Sequence, residues 1–290
     1  MGEVMNKKKK HGQFLDIVKR FLNNKSAVVG LAIFMVIVLL AVFAGAFGTY
    51  EECIETNIME KNKVPSAEHW FGTDNYGRDL FLRCIYGART SLVIGMVTAT
   101  ICLAIGTTIG MTAGYYGGLY DNLVMRFLDM MSSIPSTLMA ICVVSALGDG
   151  IPNLILAITM SRFGGFARQA RSAVMAQSGQ EYVEAARAGG VRDFRILSRH
   201  IFPNILSLAL VNYTLQVSHI ILGIATLSFL GLGIAAPMPE WGAMISAGKG
   251  FLRTFPHMVF APGLCIIATS LSINLIGDGL RDAMDPRLKR

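Results

Sequence analysis

Long apolar runs alternate along this chain with shorter polar segments. The runs cover residues 27–47, 90–113, 128–147, 151–166, 204–230 and 258–276. A helix rises roughly 1.5 Å per residue, so about 20 apolar residues cross a hydrocarbon core roughly 30 Å thick. The pattern predicts an all-α polytopic membrane protein with about six transmembrane helices. Pro135 predicts a kink in the third run, because proline removes a helical hydrogen bond. Gly148-Asp149-Gly150 predicts a tight turn before the fourth, and Tyr115–Arg126 a short turn before the third, where Arg126 and Asp129 have pairing distance at i, i+3.

Two runs carry a finer pattern. Gly106, Gly110, Gly114 and Gly118 recur every four residues and form one smooth stripe. Such stripes let helix backbones approach in a membrane, and the plain reading is packing inside the bundle. In the fifth run Asn212, Gln216, His219, Gly223 and Thr226 follow spacings of four, three, four and three, so they share one side. Polar groups in hydrocarbon are costly unless they face protein or water. The stripe therefore either hydrogen-bonds to neighbouring helices or lines a wet pathway, which makes Asn212, Gln216, His219 and Thr226 pathway candidates. His219 by itself reads as a helix contact, not a proton relay or a metal ligand.

Charge then orients the chain. The hydrophobic share is 53% and only 16% of residues are charged, against about 25% in soluble domains. The net charge of +7 concentrates in residues 1–25, 168–199 and 281–290, while 48–87 carries an acidic excess. By the positive-inside rule the basic segments are cytoplasmic, and 48–87 and 232–256 lie outside. Both termini then face the cytoplasm, and the positive charge calls for no nucleic acid. Lys7–Lys10 belongs to this topogenic signal, and a short interfacial helix is expected near 14–22. The organisation is a basic segment 1–25, a first span and outer loop 26–86, a core 87–280 and a tail 281–290.

The segment 178–204 is the longest polar stretch between two spans. Ser178 and Glu181 have capping-box spacing. A helix through Ala188 is expected to stop at Gly189-Gly190, since glycine takes the left-handed cap without steric cost. A second short helix is expected over 191–200, with Pro203 in the first turn of the next span. Ala185, Ala186 and Ala188 keep the first helix thin. Glu184-Ala185-Ala186, three residues, Gly190 and then Pro203 resemble the EAA loop of permease subunits of bacterial ABC importers. HWFGTDNYGRDLFLRCIYGARTSLVIG from His69, SFLGLGIAAPMPEWGAMISAGKGFL from Ser228 and GDGLRDAMDPRLKR from Gly277 resemble the C-type subunit of dipeptide, oligopeptide and nickel importers.

The resemblance implies a type I ABC importer permease fold in the bacterial cytoplasmic (inner) membrane. It implies that Glu184, Ala185, Ala186, Arg187, Gly190 and Pro203 couple the spans to a cytoplasmic ATPase. The implied partners are a second homologous permease, two ABC ATPases and an extracytoplasmic solute-binding protein, all around a lipid bilayer. Peptides are the implied substrate, with nickel or a nickel chelate second.

The remaining chemistry narrows the class. Gly248-Lys249-Gly250 lacks the first glycine and the Ser/Thr of a phosphate loop. This chain is therefore not expected to bind ATP by such a loop; the resemblance implies ATP and Mg²⁺ on the partner ATPases, and no cofactor, catalytic residue or metal site is expected in this chain. There is no HExxH, no GxSxG and no paired intramembrane carboxylate, so neither a membrane enzyme nor a proton-driven carrier is favoured. A secondary carrier, a channel or a non-transporting scaffold are the other classes. The five cysteines form no CxxC pair or zinc spacing. Cys102, Cys142 and Cys265 are expected to pack, and Cys53 and Cys84 share one loop, free or bridged. His69 is expected to pack within that loop.

Overall fold

The computed structural model describes residues 15–284. Residues 15–23 are helical (α1), so helix does occupy the start of the chain where an interfacial segment is expected. Asn24 separates α1 from α2 (Lys25–Val42) and caps α2 by accepting from the Ala27 N–H. The remaining helices are α3 (Tyr50–Ile54), α4 (Leu80–Tyr116), α5 (Gly118–Ser132), α6 (Ser136–Leu147), α7 (Ile151–Ser178), α8 (Glu181–Ala188), α9 (Asp193–Arg195), α10 (Phe202–Phe229), α11 (Trp241–Gly248) and α12 (His257–Met284). A π turn, Ile196–Ile201, joins α9 to α10. Among the described residues the only β pairing is an isolated bridge between Thr73 and Asp79. Lys7–Lys10 and the end of the basic tail lie outside the described residues.

The all-α membrane architecture is as expected, and each of the six apolar runs lies largely in helix: α2, α4, α5 with α6, α7, α10 and α12. Among the described residues, four stretches are by length and composition alone long and apolar enough to cross a membrane: α2, α4, the continuous Asp193–Phe229 and α12. The pair α5 and α6, bent by 84°, makes a fifth if it is one broken span. Pro135 therefore breaks the third run and does not merely kink it. Its ring excludes the preceding residue from helical geometry and its nitrogen donates no hydrogen bond. The expected turn before that run is itself mostly helix, reversing at Gly117 and Gly118, both at positive φ. α7 is long enough at 28 residues, but Pro152, Asn153, Arg162 and Arg168 dilute its apolar run.

The bundle centres on α4 against α7. A Cβ on Gly106 would stand 2.5 Å from the Phe163 carbonyl oxygen, and one on Gly114 2.7 Å from that of Arg171. Between them, a Cβ on Gly110 would overlap the Ala167 carbonyl. The partners also step by four, so one row of α4 seats directly on one row of α7. In lipid this contact gains from close packing and not from leaving water. The packing reading of the stripe holds, except that Gly118 lies beyond it in the turn. Around the seam, Cys102, Leu154, Ala157, Phe166, Ile220 and Ile224 form the largest buried cluster.

The two long loops cap one end of the bundle. Asp74 accepts from Arg78 Nε at 2.7 Å and lies 3.6 Å from Arg83 Nε, all three side chains being buried. Arg83 also donates to the carbonyls of Cys53 and Pro237, tying the loops together. His69 bridges Asp79 (2.7 Å) and Glu60 (3.2 Å), which is loop packing as expected. The 232–256 segment holds a helix, α11, that was not anticipated. Glu240 caps it through both carboxylate oxygens, and Trp241, 1% exposed, donates to the Cys84 carbonyl. Cys53 and Cys84 are buried and unbridged; Cys142 is exposed on α6, contrary to the packing expectation.

Replacing Gly110 with valine is expected to unseat α4 from α7, at more than about 3 kcal/mol, because a backbone carbonyl cannot move aside as a side chain can. Gly263→Val on α12, where a Cβ meets nothing within 4 Å, is the control. The check is the yield and thermal midpoint of the detergent-purified protein. Only the Gly110 variant should fall.

Candidate functional site

An eight-residue helix such as α8 is not stable alone. It is held by Val183, fully buried among Val174, Ile196, Leu197, Ile201 and Ile205. Ala186 is half-buried against the same cluster, whereas Glu184, Ala185, Arg187, Ala188 and Gly190 are exposed. The motif is thus divided between a seated face and an open one. The helix ends as expected. Gly190 has φ +74°, its N–H reaches the Arg187 carbonyl, and the Val191 N–H reaches that of Ala186. This is a Schellman motif, which requires the left-handed residue.

The start differs from expectation. Ser178 stays in the last turn of α7 and donates to the Val174 carbonyl, so no capping box forms; Gln180 precedes α8 without a side-chain cap. The second helix is not separate either. Only Asp193–Arg195 is α-helical before the π turn carries the chain into α10. The wider π register lies just before Pro203, which is exposed. There the proline ring would otherwise press on the carbonyl four residues back.

Hydrogen bonds mount the loop on three spans. Tyr182 Oη donates to Gln177 Oε1 of α7 (2.7 Å) and accepts from Asn204 Nδ2 of α10 (3.2 Å). Tyr115, at the end of α4, donates to Asp193 Oδ1 (2.7 Å), and the Arg187 guanidinium lies 5.5 Å over its ring. Arg187 therefore turns back onto α4, and Glu184 is left on the open face with no side-chain partner among the described residues. Arg171 grips Asp121 of α5 through both oxygens. Arg168 donates to Ser132 and lies 3.8 Å from Asp129, so Asp129 is paired across helices and not with Arg126.

The four pathway candidates do not share one environment. Asn212 is half-buried in a narrow cleft with Leu103 and Gln169. Gln216 opens into a cavity of 280 Å³ walled by Ser132, Ser136, Arg162 and Arg168. His219 and Thr226 are exposed, and each bonds a carbonyl of its own helix, Leu215 and Leu222. Within this chain these two side chains join no helices together. Sequence reasoning missed Arg162, which lines the Gln216 cavity and reaches toward Gly223 of α10. Its signal was a single arginine inside the 151–166 run.

The geometry is that of a multi-pass helical bundle with an exposed polar face and a short helix mounted on three of its long helices, and the comparisons with known proteins give it the class of a transporter's membrane subunit. The chain belongs to the family of binding-protein-dependent transport system inner membrane components, whose model matches residues 106–290. Residues 12–65 match the N-terminal TM domain of oligopeptide transport permease C. The chain is 45% identical to the dipeptide transport system permease protein DppC of Alkalihalophilus pseudofirmus, over 93% of this chain and 89% of that protein. It is 41% identical to the oligopeptide transport system permease protein OppC of Bacillus subtilis, over 98% and 92%. Against the glutathione transport system permease protein GsiD of Escherichia coli the values are 40%, 93% and 89%. Its fold is similar to a chain of the inward-facing MetNI methionine ABC transporter, with TM-score 0.58 and 18% identity over 70% of this chain and 97% of that one. It is an ABC importer permease subunit of the inner membrane with the type I fold.

Val183→Asp is expected to release α8, because a carboxylate without a partner in an apolar cluster costs roughly 2 kcal/mol or more. Limited trypsin digestion of the purified protein reads this directly. Cleavage after Arg187 and Arg192 should accelerate, with the spans still intact.

Proposed function

We propose that this chain forms half of the translocation pathway of an ATP-driven peptide importer, and that α8 carries the motion of cytoplasmic ATPases into the spans. The observation that carries the reading is the division of α8. Val183 and Ala186 seat it on the bundle, while Glu184 and Ala185 stay open to a partner. Ties from Tyr182 and Tyr115 mean that a displacement of α8 moves α4, α7 and α10 together. Gly190 and Pro203 set the geometry of the loop, and Arg187 positions it against α4.

The partners in this reading are a second homologous permease, two ATPases that hold ATP and Mg²⁺, and an extracytoplasmic solute-binding protein. The basic loop 168–199 faces the ATPases in the cytoplasm. ATP would bind one conformation of the complex more tightly than the other, and that difference drives alternating access. Gln216, His219 and Thr226 face the pathway, across from the second permease. Peptides are favoured as substrate because the relatives named above carry dipeptide, oligopeptide and glutathione, itself a tripeptide, in their names. Nickel or a nickel chelate is not favoured over them.

The test is uptake of a labelled dipeptide by the whole complex in proteoliposomes with ATP and binding protein. Wild type should import the dipeptide in preference to a nickel chelate. Glu184→Lys reverses the charge on the open face and should weaken ATPase docking by roughly 2–5 kcal/mol if that contact is buried. Gly190→Pro removes the positive φ that the Schellman motif needs. Both should abolish binding-protein-stimulated ATP hydrolysis while pairing with the second permease survives. Normal stimulation in both variants would reduce the loop to a connection between spans. Orientation is checked separately: in a cysteine-free background, Asn62→Cys should react with an impermeant thiol reagent from outside and Gly179→Cys should not.

A further inference from the structure

Arg162 is an ionised group that the rest of the described chain leaves unanswered. It lies about 16 Å along α7 from Ile151, at roughly 1.5 Å per residue, near the middle of a hydrocarbon core roughly 30 Å thick. The next two arginines of α7 are engaged, Arg168 with Ser132 and Asp129, and Arg171 with Asp121. Arg162 makes no ion pair or hydrogen bond with the described residues. A guanidinium cannot shed its charge in a protein, so it needs water or an anion in front of it.

The surroundings provide that space. Arg162 stands where two cavities adjoin. One, of 280 Å³, holds Gln216, Ser136 and Arg168; the other is narrow and holds Gly223 and Thr226. A Cβ on Gly223 would stand 3.9 Å from an Arg162 terminal nitrogen, so the guanidinium reaches across to α10 at this glycine. The cavity walls carry two arginines and neutral hydrogen-bonding groups, with no carboxylate among the lining residues. Such a wall is complementary to an anion.

We propose that Arg162, with Gln216 and Ser136 beside it, is a carboxylate subsite of the translocation pathway that receives the C-terminal carboxylate of a peptide in transit. The guanidinium fork matches a carboxylate through two parallel hydrogen bonds. The open, hydrated cavity keeps that contact weak enough for release. The proposal rests on the reading that this face of α10 borders the pathway of a peptide importer. Its rival is an ion pair between Arg162 and an acidic side chain of the second permease, and the variants separate the two.

The experiment uses the complete complex in proteoliposomes at saturating binding protein, with Ala-Phe and its C-terminal amide as probes. Arg162→Gln should slow Ala-Phe uptake about tenfold, the loss of one good charged contact, and leave amide uptake at the wild-type rate. Arg162→Lys, which keeps the charge but not the fork, should fall between. Equal slowing of both probes, no change in either, or loss of the second permease on purification would overturn the proposal. A second measurement needs no transport. Phenylglyoxal labelling of Arg162 in the detergent-purified complex, read by mass spectrometry, should be slowed by millimolar Ala-Phe and not by the amide. Equal labelling overturns the subsite. If the wild-type complex imports neither probe, the peptide reading fails, and the labelling still decides the subsite.

Discussion

The contact on which the rest depends is the seating of the α4 glycine row on α7. It brings two backbones together at Gly106, Gly110 and Gly114, with no side chain between them to yield. α4 is 37 residues long, about 55 Å of helix at the usual rise. One end meets Trp241 through the Cys84 carbonyl, and the other holds Asp193 through Tyr115. α7 leads at its end into the 178–204 loop and carries Arg162 along its length and the grip on α5 through Arg171. The seam is tight, so α4 and α7 pack backbone to backbone between the loop-capped end and the end that carries α8.

A second constraint is the supply of partners for polar groups. At the loop-capped end the charges are answered within the chain: Asp74 by Arg78 and Arg83, His69 by Asp79 and Glu60. Lys63 also donates to Glu60 and holds its carboxyl below the ordinary value. Along α10 the pattern is the opposite. His219 and Thr226 satisfy only their own helix and are otherwise open, and Arg162 of the neighbouring α7 faces the cavity that Gln216 lines. Lipid does not tolerate such a face, so protein or water must cover it.

Much of this was legible along the chain, because a bilayer imposes strong local rules. Runs of apolar residues mark helices whatever they pack against, and a four-residue glycine period marks a close backbone approach. Gly190 was legible because a helix end followed by a left-handed residue is a local event. The unseen features depend on distant neighbours. Ser178 has the spacing of a cap, yet α7 keeps it, since Val174, one turn back, is anchored in the cluster beneath the loop. α11 lies in a stretch that reads as loop and is helical because Glu240 caps it and Trp241 finds a site against α4.

The candidate site divides in the same way. Sequence by itself determined that the protein is a helical membrane bundle, that residues 178–204 form a helical loop beyond the spans, and that α10 bears a polar side. Each follows from periodicity within one segment. Tertiary structure decided that Glu184 points out while Arg187 turns back to Tyr115, and that Asn212 leaves the open face for a cleft. It also decided that Arg162 meets Gly223 and Gln216 across two helices. Periodicity names the faces of a helix, but only packing between segments far apart in the chain determines which face is covered, by what, and which charge is left without a partner among the described residues.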